Sequence, residues 1–223
     1  MTDDTSIPRR VRVRGEERIY RSALQDLHQQ AMETYRAPAA ALDFGRYDSR
    51  RYDFRESHRL YELRLQLTET YGYCIPTEAA LEIIAALGPL VSIGAGLGYW
   101  EHILGQLRVD CLAYDREIDS ARLWFPVRRG GPQQAALYAD RALLLIWPPY
   151  DLPMALECLQ THHDAGGRAV AYVGEVWGCT GSDEFHQFLE THYQVQSETE
   201  LPMYGEFIHV QCGTYLRLEE DSS

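Results

Sequence analysis

Three glycines at alternate positions lie where an apolar run gives way to an amphipathic segment. The stretch VSIGAGLGYW, residues 91–100, places Gly94, Gly96 and Gly98 after a predicted strand and before a predicted helix. Without Cβ atoms such a loop lets a ligand approach the backbone, and the helix directs free N–H groups towards that ligand. The next predicted strand ends at Asp115, 21 residues after Gly94. A carboxylate there can accept hydrogen bonds from both ribose hydroxyls, so the spacing predicts a site for a nucleoside-like cofactor.

The residue after the third glycine separates two kinds of cofactor. The dinucleotide fingerprint needs a further glycine where this chain has Tyr99, because helix and strand must pack closely beneath a pyrophosphate. A bulky side chain at this point favours a cofactor without a pyrophosphate. An NAD(P)-dependent oxidoreductase remains an alternative, weakened by Tyr99.

A second group of candidates follows the predicted strand ALLLIW, residues 142–147. Pro148, Pro149 and Tyr150 come directly after it, and Glu175 follows the next predicted strand. The carboxyl ends of parallel strands meet at one sheet edge, where ligands bind in such folds. Three roles are open for Glu175: it can hold a substrate amine, serve as a general base, or cap a helix.

The glycine loop resembles the first motif of class I S-adenosylmethionine-dependent methyltransferases, with Asp115 as their ribose-binding acid. WPPY, residues 147–150, looks like the N-P-P-Y motif of amino-group methyltransferases. In that motif the polar first side chain and a proline carbonyl accept hydrogen bonds from the target amine, and the tyrosine stacks on the substrate. Trp147 donates but cannot accept, so amino-group methylation does not follow from the likeness. Residues 70–190 together are similar to bacterial and fungal proteins known only as methyltransferase-like.

The resemblance implies S-adenosylmethionine as the cofactor and assigns roles to individual residues. The implied cofactor-binding residues are Gly94, Ala95, Gly96, Gly98, Tyr99, Asp115, Trp147 and Pro148. The implied substrate-binding residues are Tyr73, Pro149 and Tyr150, and the implied catalytic residues are Tyr150 and Glu175. An aromatic rim that could hold a sulfonium is predicted from Tyr71, Tyr73, Tyr99, Trp100, Tyr114, Trp147 and Tyr150, although core packing is favoured for Trp100.

Three functions are consistent with this pattern. The leading one is an S-adenosylmethionine-dependent transferase that methylates a small molecule. Because a sulfonium has three electrophilic carbons, the second is aminocarboxypropyl or cyclising chemistry that releases methylthioadenosine, for example azetidine-2-carboxylate formation. The third is a cofactor-binding module without catalysis.

The composition of the chain argues against some classes of binding partner. The 223 residues carry a formal net charge of −12, which disfavours broad binding to nucleic acid or anionic membranes. No long apolar run predicts a membrane span, and the N-terminus does not read as a secretory signal. Five cysteines without a C-x-x-C pair predict reduced thiols and a cytoplasmic location. A monomer or homodimer is expected. His162 and His163 point about 100° apart on a predicted helix, so they are expected to be surface histidines, and no metal site is predicted.

These residues must be positioned by a regular succession of helices and strands. Alternating helix and strand patterns from residue 75 onwards predict a doubly wound α/β sheet, mostly parallel, with helices at 76–88, 99–107, 153–163 and 182–192. Two final strand-like runs, at 193–201 and 206–218, predict an antiparallel hairpin at one edge. Residues 1–70 are expected to form an arm and a helical cap, with helices at 16–36 and 55–71, and residues 71–223 the cofactor-binding domain.

Overall fold

The computed structural model describes residues 65, 68–74, 76–119, 121–201 and 210–219. The predicted arm and the helix at 16–36 lie outside the described residues. Of the second predicted cap helix, residues 65 and 68–71 are described, and they are helical. The division of the chain at residue 70 therefore stays a prediction.

A seven-stranded sheet in the order β3-β2-β1-β4-β5-β7-β6 forms the centre of the fold. The strands are β1 (Leu90–Ile93), β2 (Cys111–Asp115), β3 (Val127–Arg129), β4 (Ala142–Ile146), β5 (Ala169–Gly174), β6 (Tyr193–Leu201) and β7 (Val210–Arg217). The first five run parallel, whereas β7 pairs antiparallel with both β5 and β6. This arrangement confirms the predicted Rossmann-like sheet with its C-terminal antiparallel hairpin.

Helices cover both faces of the sheet. They are α1 (Glu78–Ala85), α2 (Tyr99–Gln106), α3 (Pro132–Leu137), α4 (Met154–Asp164) and α5 (Asp183–His192). Side chains of α1 and α2 pack in one apolar cluster, and those of α3, α4 and α5 pack in a second. Successive residues of the strands alternate between the clusters, as Leu144 and Leu145 do. Within the described residues, no helix is long and apolar enough to cross a membrane.

Local capping explains why the predicted helices begin where they do. The Thr77 hydroxyl accepts a hydrogen bond from the Ala80 N–H at 3.2 Å, and the Ser182 hydroxyl accepts one from the Phe185 N–H at 3.3 Å. Each satisfies a backbone donor that the first helical turn leaves free. Both caps precede acidic first-turn residues, which the helix dipole favours.

Two elements were not predicted. The strand β3 has only three residues, two of them exposed arginines, so it lacks an alternating pattern. The six residues of α3 are too few for a helical period to stand out. Both elements lie between β2 and β4, and β3 forms one edge of the sheet beside the tip of β2.

Candidate functional site

The glycine loop and the loop after β4 leave neighbouring strands at the same edge of the sheet. β1 and β4 are paired in parallel register, with Ser92 opposite Leu144. Strand order reverses at this pair, since β2 and β3 lie on one side and β5 on the other. Such a reversal opens a crevice outside the carboxyl ends of the strands, where open α/β sheets bind ligands.

Gly96 and Gly98 have different surroundings, although both adopt left-handed backbone conformations, with φ of 56° and 76°. A Cβ built on Gly98 would lie 2.8 Å from Phe125 Cβ and 3.0 Å from Val127 Cγ2. A Cβ built on Gly96 would meet no described heavy atom within 4 Å. The third glycine therefore serves packing against the entry to β3, whereas Gly96 is the point at which a ligand can approach the backbone.

The first glycine of the loop lies against α4. A Cβ on Gly94 would come within 2.8 Å of the terminal methyl group of Met154. The backbone N–H groups of Gly94 and Ala95 both donate to the Tyr114 carbonyl, at 2.9 and 3.1 Å. These contacts fix the base of the loop to the neighbouring strand.

Asp115 holds the tip of the loop. Its Oδ2 accepts a hydrogen bond from the Gly96 N–H at 2.7 Å, and its Oδ1 accepts one from the Glu117 N–H at 2.9 Å. A carboxylate offers about four acceptor positions, so two remain for the hydroxyls of a ligand. The predicted pairing of the glycine loop with this acid is therefore present in the fold. Its role in cofactor binding stays a prediction.

A buried carboxyl group, unforeseen from the sequence, lies beneath the same loop. Glu101, in the first turn of α2, is 1% exposed, and its Oε1 accepts a hydrogen bond from the Ser92 hydroxyl at 2.5 Å. Burial raises the pKa of Glu101 to about 7; the Asp115 charge adds to this rise and the Ser92 hydrogen bond opposes it. No sequence signal indicated this burial, because an acid in the first turn of a helix is expected for its interaction with the helix dipole.

The aromatic residues of the predicted rim divide into two groups. Trp100 is 3% exposed and its indole N–H donates to the Cys74 carbonyl at 3.3 Å, which confirms core packing. Tyr114 is also buried, with its hydroxyl donating to that of Tyr138 at 3.1 Å, so its placement at the rim was wrong. It belongs to the core because its side chain points to the α3 side of the sheet.

Tyr99 is buried directly after the glycine loop. It is 4% exposed and lies edge-on to Tyr71 and Trp124, with ring centroids 5.1 and 5.3 Å apart. The side chain packs in the apolar cluster formed by α1 and α2, and its role in cofactor binding stays a prediction.

The first residue of WPPY has an unusual backbone conformation. Trp147 has φ of 51°, which is uncommon for a residue with a side chain. Its ring stacks on that of Tyr73, with centroids 5.3 Å apart and planes at 7°. Tyr73 is half exposed, so the stacked pair presents an aromatic surface at the sheet edge.

Backbone pairing engages the two prolines of this motif. The Pro148 carbonyl accepts a hydrogen bond from the Gly181 N–H at 2.9 Å, and Pro149 forms a bridge with Thr180. These two contacts tie the loop after β4 to the loop after β5. The Pro148 carbonyl keeps one lone pair, so it can still accept a second hydrogen bond.

Tyr150 and Glu175 both lie at this edge, each with a local partner. The Tyr150 hydroxyl lies 3.4 Å from Asp183 Oδ1, and the charge of that carboxylate raises the pKa of the phenol. Tyr150 is therefore a hydrogen-bond donor at neutral pH rather than a base. Glu175 Oε2 accepts the Cys179 N–H at 2.8 Å and so closes the turn that follows β5.

One histidine prediction was wrong. His162 is fully buried, and its Nε2 lies 2.9 Å from the Arg141 carbonyl, to which it donates. It is buried because α4 turns this side chain inwards, where Gly167 leaves room for the ring. Within the described part of the chain, no group of three or more His, Cys, Asp or Glu residues could hold a metal ion.

A scan against models of protein families finds no match, and a search of curated proteins finds none either. Among solved structures, the chain is similar to one concerned with the conversion of a disulfide bond into a thioacetal group during echinomycin biosynthesis, at 12% identity over 68% of this chain and 85% of that one, with a TM-score of 0.47. It is similar to magnesium protoporphyrin IX methyltransferase (ChlM) from Synechocystis PCC 6803 with bound SAH, at 9% identity over 92% and 100% of the two chains, with a TM-score of 0.41. It is also similar to TrmK of M. capricolum in complex with S-adenosyl-homocysteine, at 11% identity over 65% and 73%, with a TM-score of 0.41. At these scores we assign no ligand or activity from them, and the fold rests on the strand order of this chain itself.

Proposed function

We propose that the crevice between the glycine loop and the loop after β4 binds S-adenosylmethionine, and that the protein transfers its methyl group to a small molecule. The observation that carries this proposal is the joint geometry of Gly96 and Asp115. A Cβ on Gly96 would meet none of the described atoms within 4 Å, and the Gly96 N–H is fixed by the Asp115 carboxylate, at the point where strand order reverses.

The residues present suit this cofactor. Asp115 keeps two acceptor positions for the ribose hydroxyls, and α2 directs its N-terminal N–H groups towards the loop. Tyr99 follows the loop where a dinucleotide site needs a further glycine, which fits a cofactor without a pyrophosphate. The residues proposed to contact the cofactor are Gly94, Ala95, Gly96, Gly98, Tyr99, Asp115, Trp147 and Pro148. Gly98 is proposed to do so through its backbone alone, because a side chain there would meet Phe125 and Val127.

The acceptor side is formed by the loops after β4 and β5. When bound, S-adenosylmethionine supplies a methyl group on a positively charged sulfur, an electrophile that needs an in-line nucleophile. Tyr73, Pro149 and Tyr150 are proposed to position that nucleophile, because the Tyr73 and Tyr150 side chains are both exposed at this edge.

Proton removal is the other requirement of methyl transfer. Of the two proposed catalytic residues, Glu175 is the candidate base, and Tyr150, whose hydrogen is directed at Asp183, orients the acceptor by accepting a hydrogen bond at its hydroxyl oxygen. Because Glu175 Oε2 accepts the Cys179 N–H, Oε1 is the carboxylate oxygen proposed to take the proton.

A small acceptor agrees with the charge of these loops. The sequence contains no lysine, and residues 147–153 and 175–182 contain no arginine. Nucleic-acid binding depends on cations that neutralise phosphates, and these two loops provide none. An uncharged or positively charged small molecule is therefore proposed.

The test begins with the cofactor alone. The purified protein is titrated with S-adenosylmethionine by calorimetry, and Asp115→Ala is the matched variant. We expect micromolar binding that is lost in the variant, whereas equal binding by both proteins would contradict the assignment of the site.

Turnover is then followed by mass spectrometry with a set of small acceptors. S-adenosylhomocysteine that appears only with an acceptor is the expected product. Methylthioadenosine formed without an acceptor would contradict methyl transfer and indicate that the aminocarboxypropyl arm reacts.

A further inference from the structure

Glu101 is a buried carboxyl group without a positively charged partner in the described part of the chain. It is 1% exposed, and none of the ion pairs formed by these residues includes it. Carboxyl groups are seldom buried unless a cation or a set of hydrogen bonds compensates them. Here the compensation is the Ser92 hydroxyl and the backbone N–H of Glu101 itself.

The position of this group links it to the cofactor loop. Ser92 lies two residues before Gly94 in β1, and Glu101 lies three residues after Gly98 in α2. Their hydrogen bond therefore joins the strand that enters the loop to the helix that leaves it. A charge at this point acts on whatever lies over the loop.

The groups that face Glu101 from the neighbouring strands include no cation, and one of them is negatively charged. From β1 it meets only the neutral Ser92 hydroxyl. From β2 it faces the Asp115 carboxylate, whose charge opposes ionisation of Glu101, and the Cys111 thiol, whose pKa is raised by burial. A positive ligand over the loop would relieve the repulsion between the two carboxylates.

We propose that Glu101 makes binding depend on the charge of the cofactor. Its buried carboxylate favours a ligand with a positively charged sulfur over the same ligand with a neutral thioether. Glu101 acts through its field and not by contact, because it lies beneath the loop. The inference rests on the proposed function, since it requires that S-adenosylmethionine occupies this loop. It implies that methyl transfer, which leaves the sulfur neutral, weakens the binding of the product S-adenosylhomocysteine.

The experiment compares S-adenosylmethionine with S-adenosylhomocysteine by calorimetry from pH 5.5 to 8.5. In the wild type the ratio of their affinities should increase in favour of the sulfonium as pH rises through about 7, where Glu101 ionises. A unit charge about 10 Å away at an effective dielectric constant of about 20 gives a change on the order of tenfold.

Glu101→Gln is the decisive variant, because the amide can still accept from Ser92 but carries no charge. In this variant the ratio of the two affinities should change with pH only because the ligands themselves titrate. That contribution is the same in the wild type. Glu157→Gln, an exposed substitution on α4 that changes the net charge equally, should keep the wild-type profile. An identical profile in Glu101→Gln and the wild type would overturn the inference.

A second measurement holds even if Glu101→Gln does not fold. At pH 6.5 the wild type should release a fraction of a proton on binding the sulfonium, and less on binding the thioether. Titrations in two buffers of different ionisation enthalpy measure this release, and equal release with both ligands would contradict the inference. If neither ligand binds, the proposed function itself fails; if both bind with a ratio matched in the variant, only the role of Glu101 fails.

Discussion

Alanine substitutions at Gly96 and Gly98 should have opposite consequences for stability and binding. Both glycines have positive φ, so each alanine carries a similar backbone cost of about 1–2 kcal/mol. The gain from a less flexible unfolded chain is also similar at the two positions. The difference between the variants therefore isolates what each new methyl group meets.

At Gly98 the methyl group meets other atoms. It would lie 2.8 Å from Phe125 Cβ and 3.0 Å from Val127 Cγ2, closer than carbon atoms pack. Overpacking of this kind costs about 1–3 kcal/mol, so Gly98→Ala should be less stable than Gly96→Ala by that amount. At Gly96 the methyl group has no described neighbour within 4 Å, so it enters the space proposed for the cofactor.

Urea denaturation followed by circular dichroism measures the stability difference, and calorimetry with S-adenosylmethionine measures binding. Gly96→Ala should stay folded and bind at least tenfold more weakly, a change of about 1.4 kcal/mol. Folded Gly98→Ala should bind within a few-fold of the wild type. Equal stability of the two variants would refute the packing role of Gly98, and unchanged binding by Gly96→Ala would refute the approach of the ligand at that residue.

Three further substitutions test separate parts of the structure. In Asp115→Asn the single amide oxygen can still accept the Gly96 N–H but no longer the Glu117 N–H, so the melting temperature should fall slightly. Calorimetry should show binding of S-adenosylmethionine weakened by about 1.5–3 kcal/mol, because a charged acceptor is lost. Tyr73→Ala removes the ring that stacks on Trp147 and should lower the free energy of unfolding by about 0.5–1.5 kcal/mol, with altered tryptophan fluorescence; an unchanged spectrum would mean that the pair is not stacked in solution. Burial lowers the pKa of His162 below its usual 6.5, so the fold favours the neutral ring. Its contribution is complete above pH 6.5 and is lost as pH falls below that value, by up to about 1.4 kcal/mol per pH unit. In His162→Phe this loss should be absent, and pH-dependent denaturation that is the same in both proteins would contradict the assignment.

Most of the sheet could be predicted because each helix and strand carries its own local sequence signal. The run ALLLIW has no polar residue and became β4, buried on both faces, as a central parallel strand must be. The helix after Ser182 has a cap, an acidic first turn and an apolar stripe that agree with one another. Where local signals agree in this way, the sequence specifies an element without help from the rest of the fold.

The segment between β2 and β4 had no such signal, and its omission affected the interpretation of the loop. The need for glycine at position 98 was attributed to the approach of a cofactor, yet a side chain there would also meet Phe125 and Val127, at the entry to the unpredicted β3. A three-residue strand with two exposed arginines is defined only by its pairing with β2. The reason for Gly98 therefore depends on a tertiary contact that no local pattern contains.

The same limit explains why residues of the candidate site could be grouped from the sequence, whereas the partners of their polar atoms could not. The meeting of Gly96 with Asp115 follows from the pairing of β1 with β2, two successive strands, and such strands commonly lie side by side. The number of lone pairs left on the Pro148 carbonyl depends instead on the loop after β5, whose Gly181 N–H takes one of the two. Likewise, Glu101 looked like an ordinary first-turn acid until its burial against Ser92 was known. Residues that share a loop and a strand tip define where a ligand binds, whereas the partners that set charge and free lone pairs come from distant segments, and these determine which reaction the site can perform.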